Sequence, residues 1–461
     1  MMKLHTLLLP VAGALIAGLF PAAPVRADGP ARKPNVLFIV VDDLCCSLGC
    51  YGKAEVKSPN IDRLAAKGMR FDRAYCQWPI CNPSRTSFLT SRRPDTTQVF
   101  DNVTSFRRTM PSVVTLPQHF RSNGYHCVSL GKIIHQGLDP AGKLVPYQDA
   151  KSWDDCRSFE WTAAGKRGEG RNVTGGAIKQ LHWTSAEGTD LDQPDAQIAA
   201  AAVKVIEERR DKPFFLAVGF HRPHDPFIAP KKYFDMYPLE KIKLHQPPAD
   251  RSNDLVNAIS RKSPIYNLAE RDAKELQRSY YACITFMDAQ LGKVLETLDR
   301  LNLWEDTIVV LIGDHGYHMG EHNWWNKGTL FEMCVKPPLL VWAPGTKGPG
   351  RPTAGIVEFI DLYPTLTDLC GLKTPAGLEG TSFRPLLDDP TLPGKKAAFT
   401  QKGKGRTVRT DRWRYTEWDG GKGGVELYDQ SKDPLDYYNL ADRPELAPVR
   451  RELSKLLQPK K

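Results

Sequence analysis

The sequence predicts an α/β protein: a large, mostly parallel sheet flanked by helices, with a smaller antiparallel-sheet subdomain at the C-terminal end. Three observations carry this reading. Continuous apolar, β-branched runs such as Asn35–Val41 have the pattern of strands buried on both faces, as in a parallel sheet covered by helices. Segments of helical periodicity alternate with these runs. Beyond about residue 375 the texture changes to short strand-like pieces joined by Gly and Lys.

Taken in order, the first strand, Asn35–Val41, is followed by Ser58-Pro59, an N-cap and a proline suited to the first helical position, opening a helix that reaches Lys67. Further buried strands are expected at 125–130, 213–219, 307–312 and 338–342, with helices at 116–123, 197–209, 269–301 and 360–369. Gln148–Asp195 reads as a long Gly-rich irregular loop, the kind that often carries function in a compact protein. Strand-like pieces at 397–400, 407–418 and 425–428 and a closing helix at 445–457 make up the C-terminal part.

With 461 residues, 41% of them hydrophobic and 25% charged, the chain has the balance of a soluble globular protein, not of a disordered or multi-span membrane chain. Single cores stop growing at roughly 250 to 300 residues, so a large domain and a smaller one are expected. We place them at 28–375 and 376–461. Lys+Arg outnumber Asp+Glu by 63 to 53, a net charge of +10 that calls for an acidic partner: nucleic acid, an anionic membrane, or a sulfated or carboxylated substrate.

Lys3, the apolar run Leu7–Phe20 and the small-residue ending Val25-Arg26-Ala27 read as a secretory signal peptide over 1–27, too short for the roughly 20 apolar residues of a spanning helix. Its removal leaves a charge of +8. The expected location is secreted or periplasmic, or lysosomal or extracellular in a eukaryote, with no nucleic-acid partner and no stable membrane insertion after cleavage. The ten cysteines are scattered without a CxxC pair, so no connectivity can be read from them.

In open α/β sheets ligands bind beyond the carboxyl ends of the strands. The polar residues expected there are Asp42-Asp43, Lys132 with His135, His221-Arg222-Pro223-His224, and Asp314-His315. Asp42, Asp43 and Asp314 offer hard carboxylate oxygens suited to Ca²⁺ or Mg²⁺. Lys132, His135, His224 and Lys327 offer cations and proton carriers for an anionic ester and its leaving group. A divalent metal beside several cations points to hydrolysis of a phosphate or sulfate ester.

Cys81 bears on the choice. Asn82 can cap a helix begun by Pro83, setting Cys81 at a helix N-terminus, where free N–H groups favour an anion. A thiolate nucleophile and a half-cystine both remain open at this point.

Cys81-Asn82-Pro83-Ser84-Arg85, followed after three residues by Leu89-Thr90, resembles the signature of the type I sulfatases. Val41-Asp42-Asp43-Leu44, Ser58-Pro59-Asn60-Ile61-Asp62, Gly131-Lys132 with His135, Pro223-His224-Asp225-Pro226-Phe227 and Asp314-His315-Gly316 extend the match over nearly the whole chain beyond the leader, and it is most similar to the iduronate-2-sulfatase branch. The resemblance implies an alkaline-phosphatase-like sandwich and an exported sulfatase acting on sulfated oligosaccharides, with the 2-O-sulfate of a terminal uronic acid as its target. It further implies that a maturing enzyme oxidises Cys81 to formylglycine, whose hydrate attacks sulfur. Asp42, Asp43, Asp314, His315 and the residue made from Cys81 would then hold Ca²⁺. Arg85 would support the formylglycine and the metal shell, Lys132 would bind sulfate, His135 would act as base, and His224 and Lys327 would sit at the ester oxygen.

Ser91 stands where the family commonly has Gly, and Tyr317 where the iduronate branch has Trp. Lys402 is a candidate for substrate binding, and Arg409, Arg412 and Arg414 are weighed as uronate ligands against a solvated strand face. The competing readings are a phosphodiesterase or phosphonate hydrolase of the same superfamily, and an inactive glycan binder.

Overall fold

The computed structural model describes residues 33–135, 137–138, 144–145, 149–348 and 350–458; the expected signal peptide lies outside them. Eight strands form the main sheet: β1 (Asn35–Val41), β2 (Met69–Phe71), β3 (His126–Gly131), β4 (Asp155–Arg157), β5 (Phe214–Phe220), β6 (Thr307–Gly313), β7 (Leu339–Trp342) and β8 (Pro352–Thr353). Their order is β8-β2-β7-β6-β1-β5-β3-β4. β1 lies inside the sheet, with Leu37 beside Leu216 of β5 and Val309 of β6, both pairings parallel. Only β7 runs against the rest.

Both faces of β1 are covered, which is why its sequence is apolar from Val36 to Val41; the buried side-chain amide of Asn35, at its start, donates to Thr307 and accepts from Phe214 N. Leu37, Ile39 and Val41 belong to the core under α1 (Pro59–Lys67), α3 (Pro194–Arg209) and α4 (Glu270–Arg300). Val36, Phe38 and Val40 join the opposite core, with Phe88 and Leu89 of α2 (Cys81–Thr90) and Leu362 and Leu366 of the helix Leu362–Leu369. Each such side chain contributes about 1.5–3 kcal/mol when fully buried, so the strand that carries the first site residues is among the most firmly held.

The C-terminal sheet is antiparallel, in the order β9 (Ala398–Lys402), β10 (Gly405–Arg409), β11 (Trp413–Trp418), β12 (Val425–Asp429). Val408, Tyr415 and Leu427 pack there against Leu453 of α5 (Ala447–Leu457). The segment expected as one strand over 407–418 is a hairpin, turning at 410–412.

The expected irregular stretch 148–195 holds more structure than its composition implies. It supplies β4 at the sheet edge and two strands, Gly168–Asn172 and His182–Ala186, that join Phe227–Pro230 in a three-stranded sheet. The pairing partner lies some 40 residues away, which no local pattern reveals. Ser58 precedes α1 but does not cap it through its side chain; its hydroxyl accepts from Gly49 N at 3.0 Å and donates to Asp62 at 3.2 Å. None of the ten cysteines forms a disulfide. Among the described residues no helix is long and apolar enough to cross a membrane.

Candidate active site

Four central strands end on one rim. Asp42-Asp43 follow β1, Asp314-His315 follow β6, His221–His224 follow β5, and Lys132 with His135 follow β3. The strand ends are laced together: Asp314 N donates to Val41 O at 3.2 Å, Asp43 N to Asp314 Oδ1 at 3.0 Å, and Lys132 N to Gly219 O at 3.0 Å. At Gly131 φ is +75°, and a Cβ there would lie 2.3 Å from Gly219 O, so only glycine lets β3 turn out beside β5.

α2 begins at Cys81 itself, not at Pro83, and the N-cap position is Ile80. Asn82, expected as the cap, instead ties the helix to the next loop: its side-chain amide donates to Asp101 O and Thr104 O, both at 2.8 Å. Cys81 therefore occupies the first turn, where helix N–H groups have no intrahelical partner. Its Sγ lies 3.4 Å from His315 Nε2, 3.4 Å from Lys327 Nζ and 3.9 Å from Asp43 Oδ1. Burial and the Asp42 carboxylate push the thiol up, but Lys132 and Lys327 pull harder, bringing it down to about 7.

At the other end of α2, Ser91 has φ 51° and ψ 42°, a left-handed C-cap that favours glycine. Its hydroxyl donates to Ile360 O at 2.7 Å and accepts from Gly380 N at 3.1 Å. These bonds act against the strain at the position where the family commonly has Gly.

The three carboxylates, at most 1% exposed, are matched by cations. Arg85 donates from Nε to Asp314 Oδ2 and from Nη2 to Asp42 Oδ1, both at 2.9 Å. Lys132 bonds the other oxygen of Asp42, and Lys327 Nζ bonds both oxygens of Asp43 at 2.6 and 2.9 Å. Burial alone would raise the Asp42 carboxyl; Lys132, with His224 and Arg85, holds it well below the usual range.

The histidines divide into two electrostatic classes. Burial works against charge on His224, yet Asp43 and Asp42 raise it well above its ordinary value. Its Nδ1 lies 3.0 Å from Asp225 Oδ1, and its Nε2 3.9 Å from Asp42 Oδ2. His135, half-buried three positions past Lys132, is driven down to about 2 by burial and then by that ammonium. One site thus holds a protonated and a neutral imidazole.

Donor atoms of Asp42, Asp43, Cys81 and His224 lie within 4.8 Å of one another, as do those of Cys81, Asp314 and His315. The oxygen-rich set fits a hard divalent cation. His315 is different: against burial, Asp314 raises it to about 9, so it would give up a proton to become a ligand.

Some residues of the site were missed in the sequence. Asp225, which buttresses His224, lies inside a matched motif and its adjacency was the available signal. Tyr280, on α4, donates to Asp43 O at 2.6 Å and accepts from Cys45 N at 3.0 Å, and Asp195 accepts from the N–H groups of His221 and Arg222 at 2.8 and 2.9 Å. Neither carried a local signal. Tyr317 is fully buried and stacks on Tyr280, ring centroids 5.2 Å apart.

The arginines weighed as uronate ligands are otherwise engaged. Arg414 is 1% exposed and pairs with Glu332 and Asp436, Arg409 lies 3.4 Å from Glu332, and Arg412 pairs with Asp429 at 2.7 Å. Lys402 ends β9 at the rim of the site.

The family model described as sulfatase matches residues 34–372, and one described as N-sulphoglucosamine sulphohydrolase, C-terminal, matches 320–461. The chain belongs to the sulfatase family, and so to the sulfuric ester hydrolases. Its sandwich is the alkaline-phosphatase-like fold of that family. Among individual relatives, iduronate 2-sulfatase of Homo sapiens is 31% identical, with 90% of this chain and 92% of that protein covered. A protein named sulfatase from Formosa agariphila is 33% identical over 89% of this chain and 83% of its own. The structure of a phosphonate monoester hydrolase from Silicibacter pomeroyi superposes with a TM-score of 0.77 at 22% identity, covering 92% of this chain and 94% of that one, a likeness of fold.

Proposed function

We propose that the chain is an exported sulfatase that hydrolyses sulfate esters of sulfated glycans, with the 2-O-sulfate of a terminal uronic acid as its target, through a formylglycine made from Cys81 and a bound Ca²⁺. The observation that carries this reading is the setting of Cys81: in the first turn of α2, 3.4 Å from both Lys327 Nζ and His315 Nε2, with the Asp43 carboxylate at 3.9 Å. The likeness to human iduronate 2-sulfatase supports the choice of sugar.

Asp42, Asp43, Asp314 and His315 would hold the ion. Formylglycine supplies an oxygen nucleophile able to release sulfate again without water attacking sulfur, and Ca²⁺ supplies positive charge for the sulfate oxygens. The rest falls to the chain's own side chains. Lys132 binds the sulfate, and Lys327 sits with His224 at the ester oxygen. His224, held protonated, gives its proton to the ester oxygen as the S–O bond breaks, so the sugar leaves as a neutral alcohol. His135, held neutral, accepts the proton of the residue-81 hydroxyl. Two like groups pushed to opposite protonation states are the arrangement that acid–base chemistry near neutral pH needs. Arg85 fixes Asp42 and Asp314, and Lys402 faces the sugar. Residues 28–375 would carry the chemistry and 376–461 part of the sugar site, after export and removal of residues 1–27.

Mass spectrometry of the Cys81 peptide after co-expression with a formylglycine-generating enzyme tests the nucleophile; a retained thiol would favour a glycan binder. Parallel kinetics on sulfate and phosphate esters of one alcohol test the reaction, and a phosphate preference would favour the phosphonate or diester hydrolase reading.

A further inference from the structure

Beside the candidate active site lies a cavity of about 410 Å³ lined by Lys402, Lys404, Lys422, Asn257, Trp418 and Asp419. That size is within the range of about 300–1,000 Å³ typical of ligand sites. Lys402 connects it to the chemistry: its Nζ is 3.8 Å from the position a Cβ on Gly328 would take, and Ile80 Cγ2 is 3.9 Å from the same point. Gly328 and Ile80 are the chain neighbours of Lys327 and Cys81.

The lining is unbalanced in charge. Its one carboxylate, Asp419, lies 3.3 Å from Lys404. Lys402 and Lys422 have no ion-pair partner among the described residues, and burial lowers the Lys402 pKa. A partly buried ammonium without a counter-charge is unfavourable in the free protein, and an anionic ligand relieves it. Lys402 is half-buried, whereas Lys404 and Lys422 are exposed, so Lys402 is the cation that a ligand in the cavity would relieve most.

We propose that this cavity binds the acidic group, carboxylate or sulfate, of the sugar adjoining the one that bears the scissile ester, so that the enzyme prefers an acidic oligosaccharide to a lone sulfated sugar. This rests on the glycan reading above.

The test compares kcat/KM for four substrates sharing one sulfated sugar: the monosaccharide, and disaccharides whose second sugar bears a carboxylate, a sulfate or no charge. At least one acidic disaccharide should exceed the neutral one by about tenfold, the size of one charge-assisted hydrogen bond. The double variant Lys402→Gln/Lys422→Gln should abolish that ratio through KM, while Lys404→Gln should leave most of it. Equal use of acidic and neutral disaccharides by the wild type, or a ratio that survives the double variant, would overturn the proposal; which acidic arm responds identifies the group bound. Failure to turn over any sulfate ester, aryl sulfates included, would count against the sulfatase reading instead. Titration calorimetry with the acidic disaccharide then still reads the cavity: binding weakened about tenfold in the double variant is expected, and equal binding would overturn the proposal.

Discussion

Arg85 Nε donates to Asp314 Oδ2 at 2.9 Å, with neither side chain more than 1% exposed. The same guanidinium reaches Asp42 Oδ1 at 2.9 Å, so one planar fork joins the ends of β1 and β6. Lysine carries its three donors on one nitrogen and lacks the separated nitrogens of this fork, so it cannot reproduce both contacts in the same geometry.

Arg85→Ala should therefore lower unfolding free energy by about 3–5 kcal/mol, the range for stripping one partner from a buried ion pair. Arg85→Lys should recover only part of it. Urea denaturation of both variants checks this; a loss under about 1 kcal/mol in the alanine variant would mean that solvent or other cations neutralise the two carboxylates.

His135→Ala and His224→Ala should each reduce kcat by about 10²–10⁴, as removal of a general acid or base does. The pH dependence follows from their opposite settings. Protonated His224 persists through neutrality and is lost as pH rises beyond its raised pKa, above the ordinary 6.5. Neutral His135 persists down to about pH 2, so the acidic limb of a pH–rate profile should have another source. A limb near pH 6 to 7 that disappears in residual His135→Gln activity would contradict this.

Chelation should abolish activity and lower the melting temperature, since the charge that a bound ion adds to that of Arg85, Lys132 and Lys327 beside Asp42, Asp43 and Asp314 is then lost. Ca²⁺ should restore both. Restoration of activity by Zn²⁺ alone would argue against an oxygen-donor site.

Ser91 separates strain from hydrogen bonding. Ser91→Ala keeps the left-handed backbone and loses both hydroxyl bonds, a loss of about 1–3 kcal/mol. Ser91→Gly loses the same bonds but relieves a strain of roughly 1–2 kcal/mol, so it should be the more stable variant. Thermal melts of the pair decide the order.

Glu332 ties the C-terminal sheet to the part of the chain that bears the candidate site. Burial would raise its carboxyl, but Arg414 and Arg409 bring it from the ordinary 4.5 to about 2. A depressed carboxylate contributes stability in full above its unfolded value, and that contribution fades as pH falls from about 4.5 through about 2. Glu332→Gln should flatten this window in acid melts while lowering stability at pH 7.

Much of the site could be read from the chain because it depends on local signals. The unbroken apolar run Val36–Val41 marks a strand covered on both faces, and each acidic or basic cluster directly follows such a run. What escaped depends on contacts between distant segments. Nothing near Tyr280 in α4 marks it as a prop for Asp43, and nothing in β11 distinguishes Arg414, paired with Glu332 in the interior, from an exposed strand arginine. The helix start at Cys81 was missed because Asn82 resembles a cap, while its side chain serves the loop at 101–104.

The absence of disulfides among ten cysteines has a consequence for handling the protein. No covalent staple contributes to the fold, so its stability rests on the two cores flanking the main sheet, the smaller core of the C-terminal sheet and buried ion pairs, none of which a reductant touches. Dithiothreitol should leave the melting curve unchanged, and refolding from urea should need neither an oxidant nor a disulfide isomerase.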